Sequence, residues 1–357
     1  MLVSDFDFEL PDALIAQNPP AERGGSRLLV LDRSTGTVEH RMFSEFPEYL
    51  QAGDLLVLNN TGVFPARLLG HRVPSGGAVE CLLLGPVAES PTASPLWTAL
   101  MHPGQKLKPG ARVVFERDGA RMHGEVLGYH HFGRRTIRLW TDEGSVADAI
   151  ERIGHIPLPP YIARPDTPVD RDRYQTVFAR HQGSIAAPTA GLHFTQSTLQ
   201  SAISRGVEIT EITLHVGYGT FKPVRVNEVE SHEVDPESFE VTAAAAAALS
   251  RARRDGRRII AVGTTTTRVL ESLQVDPDGG VVPTTGETRA FIYPGHRFQL
   301  VDGLVTNFHL PRSSLLMLVA AFAGREHVLD AYRRAVAEGY RFYSYGDAMF
   351  VHGGRRV

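Results

Sequence analysis

Apolar residues follow two different textures along this chain. From about residue 63 to 139 they come in short alternating or continuous runs, at 79–84, 96–100, 111–115, 124–127 and 135–140. Turns rich in Pro, Gly and Ser separate them, such as Pro74-Ser75-Gly76-Gly77 and Pro103-Gly104. Several strands at roughly 10–15-residue spacing, with no helical stretch between them, predict a small β-barrel. On either side the pattern changes. Strand-like runs alternate with helical periodicity over Val146–Ile153, Ala243–Arg254, 313–322 and 326–338. That alternation predicts an α/β domain with a mixed or largely parallel sheet. The expected organisation is a discontinuous α/β domain of residues 1–61 and 146–357, interrupted by an inserted β-barrel domain of residues 62–145.

The sharpest local pattern runs from Ile259 to Ser272. An apolar β-branched run enters Gly263, then Thr264-Thr265-Thr266-Thr267-Arg268, then a helically spaced segment. This is a strand, a tight turn and a helix start. Helix starts leave backbone N–H groups without partners, and such turns lie at the carboxyl edge of α/β sheets, where ligands bind. The plainer interpretation is that the threonines only cap the helix. Arg268 reads as an exposed cation facing a polar or anionic ligand, with little bearing on stability. Three other segments share this character: Thr189-Ala190-Gly191-Leu192-His193-Phe194, His215-Val216-Gly217-Tyr218-Gly219-Thr220-Phe221, and Thr306-Asn307-Phe308-His309. Glycine lets backbone approach a ligand, aromatic residues offer stacking faces, and His and Thr supply donors and acceptors. A flat heterocycle joined to a sugar suits that set.

Composition narrows the class. With 42% hydrophobic and 22% charged residues, the 357-residue chain has the makeup of a globular protein with a large core. Cys81 is the only cysteine, which excludes a disulfide framework and a cysteine metal cluster and fits a reducing cytosol. The longest apolar run, residues 315–323, is far shorter than the ~20 residues of a membrane helix. A cytoplasmic protein, with no membrane partner and acting as a monomer, is expected.

In order along the chain stand Ser4-Asp5-Phe6-Asp7-Phe8-Glu9-Leu10-Pro11, Gly53-Asp54-Leu55-Leu56-Val57-Leu58-Asn59, Pro157-Leu158-Pro159-Pro160-Tyr161-Ile162 and Arg173-Tyr174-Gln175-Thr176-Val177. The four Gly/Thr/His segments follow, and then Tyr343-Ser344-Tyr345-Gly346-Asp347-Ala348-Met349. Nearly end to end, this series resembles the S-adenosylmethionine:tRNA ribosyltransferase-isomerase family of the queuosine pathway. It departs from the family pattern at Asn60, Gly62, Val234 and Asp235.

The resemblance implies an enzyme that consumes S-adenosyl-L-methionine as a ribosyl donor. It would transfer and isomerise the ribosyl part onto 7-aminomethyl-7-deazaguanine at the wobble position of tRNA, releasing adenine and methionine and leaving epoxyqueuosine. Such chemistry needs a base beside the sulfonium carbon and donors that stabilise departing adenine. The candidate acids and bases are His193, His215 and His309. Tyr174, Gln175, Thr189, Gly191, Gly217, Gly219, Gly263, Thr264, Thr265, Arg268, Asn307 and Asp347 are candidate substrate contacts. Phe194, Tyr218, Phe221 and Phe308 would stack on the modified base. No metal is expected, because no histidine pair has ligand spacing.

The net charge of −3 hides local fields. Between Lys106 and Arg138, eight basic residues face three acidic ones, and a second basic cluster spans residues 251–258. Lys106, Lys108, Arg134, Arg135, Arg138, Arg254 and Arg257 are the expected tRNA contacts; the plainer interpretation is solvated surface. Two rivals are a methyltransferase using the same donor and a non-catalytic tRNA-binding module. The first would release S-adenosylhomocysteine instead of adenine and methionine. The second would bind tRNA without turnover.

Overall fold

The computed structural model describes residues 1–87 and 94–354. In chain order the elements are β1 (Arg27–Asp32), β2 (Val38–Met42), β3 (Leu55–Asn59) and the short β4 (Thr61–Val63). The strands β5 (Arg67–Val73), β6 (Ala78–Pro86), β7 (Leu96–His102), β8 (Arg112–Arg117), β9 (Ala120–Tyr129) and β10 (Arg134–Trp140) follow, then α1 (Val146–Ile153) and α2 (Pro168–Arg173). The rest comprises β11 (His181–Ser184), α3 (Gln196–Ser204), β12 (Glu208–Leu214), β13 (Glu237–Val241), α4 (Ala243–Arg254) and β14 (Ile259–Val262). It continues with α5 (Thr264–Ser272), β15 (Thr284–Thr288), β16 (Gly303–Asn307), α6 (Ser314–Ala323), α7 (Arg325–Ala337) and β17 (Ala348–His352). Among the described residues, no helix is long and apolar enough to cross a membrane.

The chain divides into two compact units. One holds Met1–Gly62, Pro160–Arg164 and the chain from Arg173 onward; the other holds Val63–Pro159 and Pro165–Asp172. The second unit is a closed antiparallel barrel in the order β10-β7-β6-β5-β8-β9. Its interior is filled by Leu68, Cys81, Leu83, Phe115, Met122, Val126 and Ile137, from strands whose side chains alternate inward and outward. Helix α1 packs Val146, Ala149, Ile150 and Ile153 onto this core. The helix therefore goes with the barrel, and the expected boundary at 145/146 is corrected. Its amphipathic stripe identified a helix but carried no information about which core would receive it.

The first unit is built on a nine-stranded mixed sheet ordered β15-β13-β12-β3-β14-β16-β17-β1-β2. The four central strands β12, β3, β14 and β16 run parallel, and β17 lies antiparallel to β16 yet parallel to β1. Central strands covered on both faces read as continuous apolar runs, which explains Leu55-Leu56-Val57-Leu58 and Ile259-Ile260-Ala261-Val262. Alternate residues serve two cores. Leu29, Leu55, Val57, Ile259, Ala261 and Leu304 pack with α4 to α7, whereas Leu28, Leu56, Leu58, Ile260 and Val305 pack with Phe43, Phe46, Phe194 and α3. The consequence for the site is positional. The carboxyl ends of β12, β3, β14 and β16 and the amino ends of β17 and β1 all fall on one edge.

Candidate functional site

At that edge, Val262 pairs with Val305 across β14 and β16, so the chain beyond each strand leaves side by side. The Gly263 N–H donates to the Val305 carbonyl (2.8 Å), and Gly263 turns the chain into α5 with φ of 96°. An L side chain is strained there, which is why glycine stands between strand and helix. The helix has no side-chain cap. Instead the Thr266 hydroxyl donates to the Val262 carbonyl (2.7 Å) and the Thr267 hydroxyl to the Gly263 carbonyl (3.1 Å). Half of the threonine run thus back-bonds to the turn. The other half, Thr264 and Thr265, lines a cleft, and the buried Thr265 Oγ1 has no partner within the protein. Simple N-capping does not describe this segment.

The cleft is open to solvent and, counted with its mouth, holds about 560 Å³ of empty space. One wall is the 186–190 turn with Thr189, and the floor is Gly263, Thr264, Thr265, Thr306, Asn307 and His309. Val216, Thr220 and Phe221 close a third side, and Tyr161, Tyr174, Tyr343 and Ser344 a fourth. The Tyr161 and Tyr343 rings are 3.7 Å apart between centroids, and the Tyr161 and Ser344 hydroxyls hydrogen-bond. Tyr161, Thr306, Thr220, Tyr343 and Ser344 were not among the expected site residues. Three of them, Tyr161, Tyr343 and Ser344, stand in the Pro-Pro-Tyr and Tyr-Ser-Tyr-Gly motifs, whose aromatic and hydroxyl content was the available signal.

The three histidines separate. His309 lines the cleft, with Nε2 2.8 Å from the Thr306 hydroxyl, and burial pushes its pKa down to about 3. His193 lies behind Asn307 and is fully enclosed. Burial above all, with Arg341 adding to it, lowers its pKa to about 4. His215 sits at the end of β12 against Thr61 Oγ1 (2.9 Å) and Gly183, outside the cleft lining. Both deeply buried imidazoles are neutral at pH 7. Among the described residues no three His, Cys, Asp or Glu side chains are grouped to hold a metal ion.

Several expected substrate contacts are committed elsewhere. Arg268 is buried, donating from Nε to the Ala290 carbonyl (2.7 Å) and pairing with Glu237, whose other oxygen accepts from the Gly217 N–H (2.9 Å). It is a strut behind the 217–221 turn, and the expectation of an exposed, ligand-facing arginine is corrected. Asp347 clamps two backbone N–H groups, those of Arg27 (2.9 Å) and Arg341 (2.8 Å). The Gln175 carbonyl receives Arg23 (2.7 Å). Gly191 allows the 189–193 turn to lie on Thr176 and Phe178, where an added Cβ would come within 2.7–2.8 Å of both. Gly219 abuts Asp235, itself paired with Lys222. Phe194 and Phe308 are fully buried core rings, which removes them from the stacking set; Phe221 remains in the cleft.

The buried Arg268–Glu237 pair gives a direct expectation. Arg268→Ala leaves a carboxylate desolvated without its cation, and should lower stability by about 3–5 kcal/mol in urea unfolding. An unchanged midpoint would show that Glu237 is solvated.

The basic residues also sort. Lys106 and Lys108 are exposed on one barrel turn, and Arg138 is exposed beside Glu125 and Trp140. Arg134 is partly buried at the start of β10. Arg135 is buried and donates to the carbonyls of Leu107, Gly133 and Gly104, so it ties loops of the barrel together and is withdrawn from the RNA-facing set. Arg254 is exposed, and Arg257 is held by Glu208 (2.8 Å) and the Gly53 carbonyl.

The family model described as "Queuosine biosynthesis protein" matches residues 3–351. Two curated relatives named S-adenosylmethionine:tRNA ribosyltransferase-isomerase come from Desulfitobacterium hafniense and Symbiobacterium thermophilum. They are 49% and 51% identical over 351 residues, covering 98% of this chain and 100% of each relative. A crystal structure of S-adenosylmethionine tRNA ribosyltransferase from Thermotoga maritima is 38% identical, with a TM-score of 0.54, covering 98% of this chain and 100% of that one. With family motifs, full-length relatives and fold in agreement, the chain belongs to the queuosine biosynthesis protein family.

Proposed function

We propose that this chain is an S-adenosylmethionine:tRNA ribosyltransferase-isomerase. It moves and isomerises the ribosyl part of S-adenosyl-L-methionine onto 7-aminomethyl-7-deazaguanine at the wobble position of tRNA, giving epoxyqueuosine, adenine and methionine. The observation that carries this is the near full-length identity of about half with relatives of that name. The cleft supports it, with aromatic and apolar residues beside hydroxyl, amide and imidazole groups and the start of a helix in its lining.

The sulfonium supplies acidity at its neighbouring carbon. His309 is the histidine that lines the cleft, and we assign it the proton transfer. Its low pKa means that the ring is unprotonated, and so free to accept a proton, at neutral pH. Burial disfavours creating an imidazolium in a site without charge. When a cationic substrate is the proton donor, it becomes a net-neutral ylide as the imidazole becomes cationic, so the net charge of the site does not change. The positive end of α5 stabilises negative charge developing on departing adenine. The tRNA backbone is assigned to the exposed barrel residues Lys106, Lys108 and Arg138, with Arg134 and Arg254 as further contacts. A tRNA substrate and a single cysteine, buried as a free thiol, support a cytoplasmic assignment.

The decisive test mixes purified protein, S-adenosyl-L-methionine and an anticodon stem-loop carrying the aminomethyl-deazaguanine, with chelator present. Adenine release and the matching gain in RNA mass are expected; S-adenosylhomocysteine with a methylated RNA would overturn the assignment. In the same system, Lys106→Glu with Lys108→Glu should weaken RNA binding and reduce its salt slope by about 1–2, since phosphate contacts release counterions. Binding of the donor alone should not change.

A further inference from the structure

The orientation of one buried amide is fixed by chemistry, and it exposes an acceptor to the cleft. The Asn307 Nδ2 lies 2.9 Å from the Tyr343 carbonyl and 3.1 Å from His193 Nε2. A carbonyl can only accept, so the NH2 of Asn307 must face it. The same NH2 then donates to His193, which makes Nε2 the acceptor nitrogen of a neutral imidazole. His193 Nδ1 therefore carries the proton and donates to Ser26 Oγ at 2.8 Å. Flipping the amide would set its oxygen against the Tyr343 oxygen and a lone pair. Asn307 Oδ1 is thus an obligate acceptor, on a residue 2% exposed at the cleft floor, and it has no partner within the protein.

Beside it, across the β14–β16 pairing, stands the start of α5. Thr265 is 7% exposed, and its unpartnered Oγ1 lies 3.6 Å from the position a Gly263 Cβ would take. The main-chain N–H groups of the first turn of α5 lack intrahelical partners and add donors at this helix start. The two strand ends are neighbours, about 5 Å apart in a sheet. An acceptor and donors lining one cleft complement a 6-aminopurine edge, whose exocyclic amine donates while the adjacent ring nitrogen accepts. A 6-oxopurine presents the reverse at the first position.

We propose that Asn307 Oδ1 and Thr265 form the adenine-reading edge of the cleft, with His193 a positioning residue that holds the Asn307 amide in its accepting orientation. This rests on the reading of the cleft as the donor site, and it accounts for a neutral histidine that does not reach the cleft itself. A site whose buried polar groups lose their partner rejects the analogue strongly.

The test measures calorimetric binding of S-adenosyl-L-methionine and of its 6-oxo analogue, S-inosyl-L-methionine, to the whole protein without RNA. Wild type should prefer the 6-amino donor by roughly 10³-fold or more. Asn307→Leu should cut that preference by about 10²-fold, and His193→Phe and Thr265→Val by about tenfold each. Should Asn307→Leu fail to fold, the other two variants carry the test. Imidazole 15N shifts of wild type should show His193 protonated at Nδ1. Equal weakening toward both ligands, or a proton on Nε2, overturns the proposal. Absence of adenine release by wild type would instead overturn the functional assignment, so the two failures are distinct.

Discussion

His309→Ala is expected to slow adenine release roughly 10³-fold, equal to about 4 kcal/mol of barrier, with KM for the donor little changed. The size follows from the role: general base catalysis by a positioned side chain contributes about 10²–10⁴-fold. The KM expectation follows from geometry, since Nε2 is engaged with Thr306 and the rest of the cleft is unaffected. Added imidazole should restore part of the rate by filling the space left by the ring, and His309→Gln, which keeps hydrogen-bonding capacity without a usable base, should not be rescued by packing alone. Turnover of His309→Ala within tenfold of wild type would remove His309 as the base, and Tyr161 and Tyr343 would then be the next groups to examine.

Acid should begin to destabilise this protein from about pH 6.5 downward, well above the pH at which its carboxylates titrate. His193 and His309 bind a proton near pH 6.5 when unfolded but only near 4 and 3 when folded. Lowering pH therefore feeds protons to the unfolded state first. The stability present above pH 6.5 is lost progressively as pH falls toward the folded values. At pH 4.5 the two sites together cost about 5 kcal/mol, at about 1.4 kcal/mol per pH unit per site. That is a large share of the roughly 5–15 kcal/mol that holds a typical domain. His215, His232 and His352, whose pKa values burial also lowers, act in the same direction. Urea midpoints from pH 7.5 to 4.5 give the slope, and His193→Phe should make it shallower by one proton. A flat profile across that range would mean that neither ring is held neutral by burial.

Local pattern was enough to find the turn after β14. A β-branched run, one glycine and a polar helix start encode their own conformation, and the structure places strand, turn and helix where the spacing does. The alternating barrel runs were equally readable, apart from β5, where Gly70 sits under the Val114 carbonyl and breaks the apolar pattern. Partner identity was not readable. Arg268 is a polar residue in a ligand-rich segment whichever way it faces; only Glu237, 31 residues away, decides that it faces inward. The pairing of Tyr161 with Tyr343 joins positions 182 apart, so neither alone signals a wall of the cleft. Likewise Asp347 has the chemistry of a ligand contact, but two backbone N–H groups from β1 and the 341 turn claim both of its oxygens.

The position of β17 has a consequence for how the molecule assembles. It is the seam of the nine-stranded sheet, lying between β16 and β1, and the β1–β2 hairpin has no other neighbour in the ladder. The hairpin is therefore made early in the chain but gains its sheet neighbour only from a strand more than 300 residues later. Such a closure carries a heavy loop-entropy cost and slows folding. Until it happens, Leu28 to Leu31 form an uncovered apolar edge, the kind of surface on which incomplete chains pair with one another. The cleft is bound to the same event, because Ser26 and Asp347 reach their partners only when the seam closes. The hydrogen bonds that steady the cleft from behind thus depend on contacts between segments far apart in the chain.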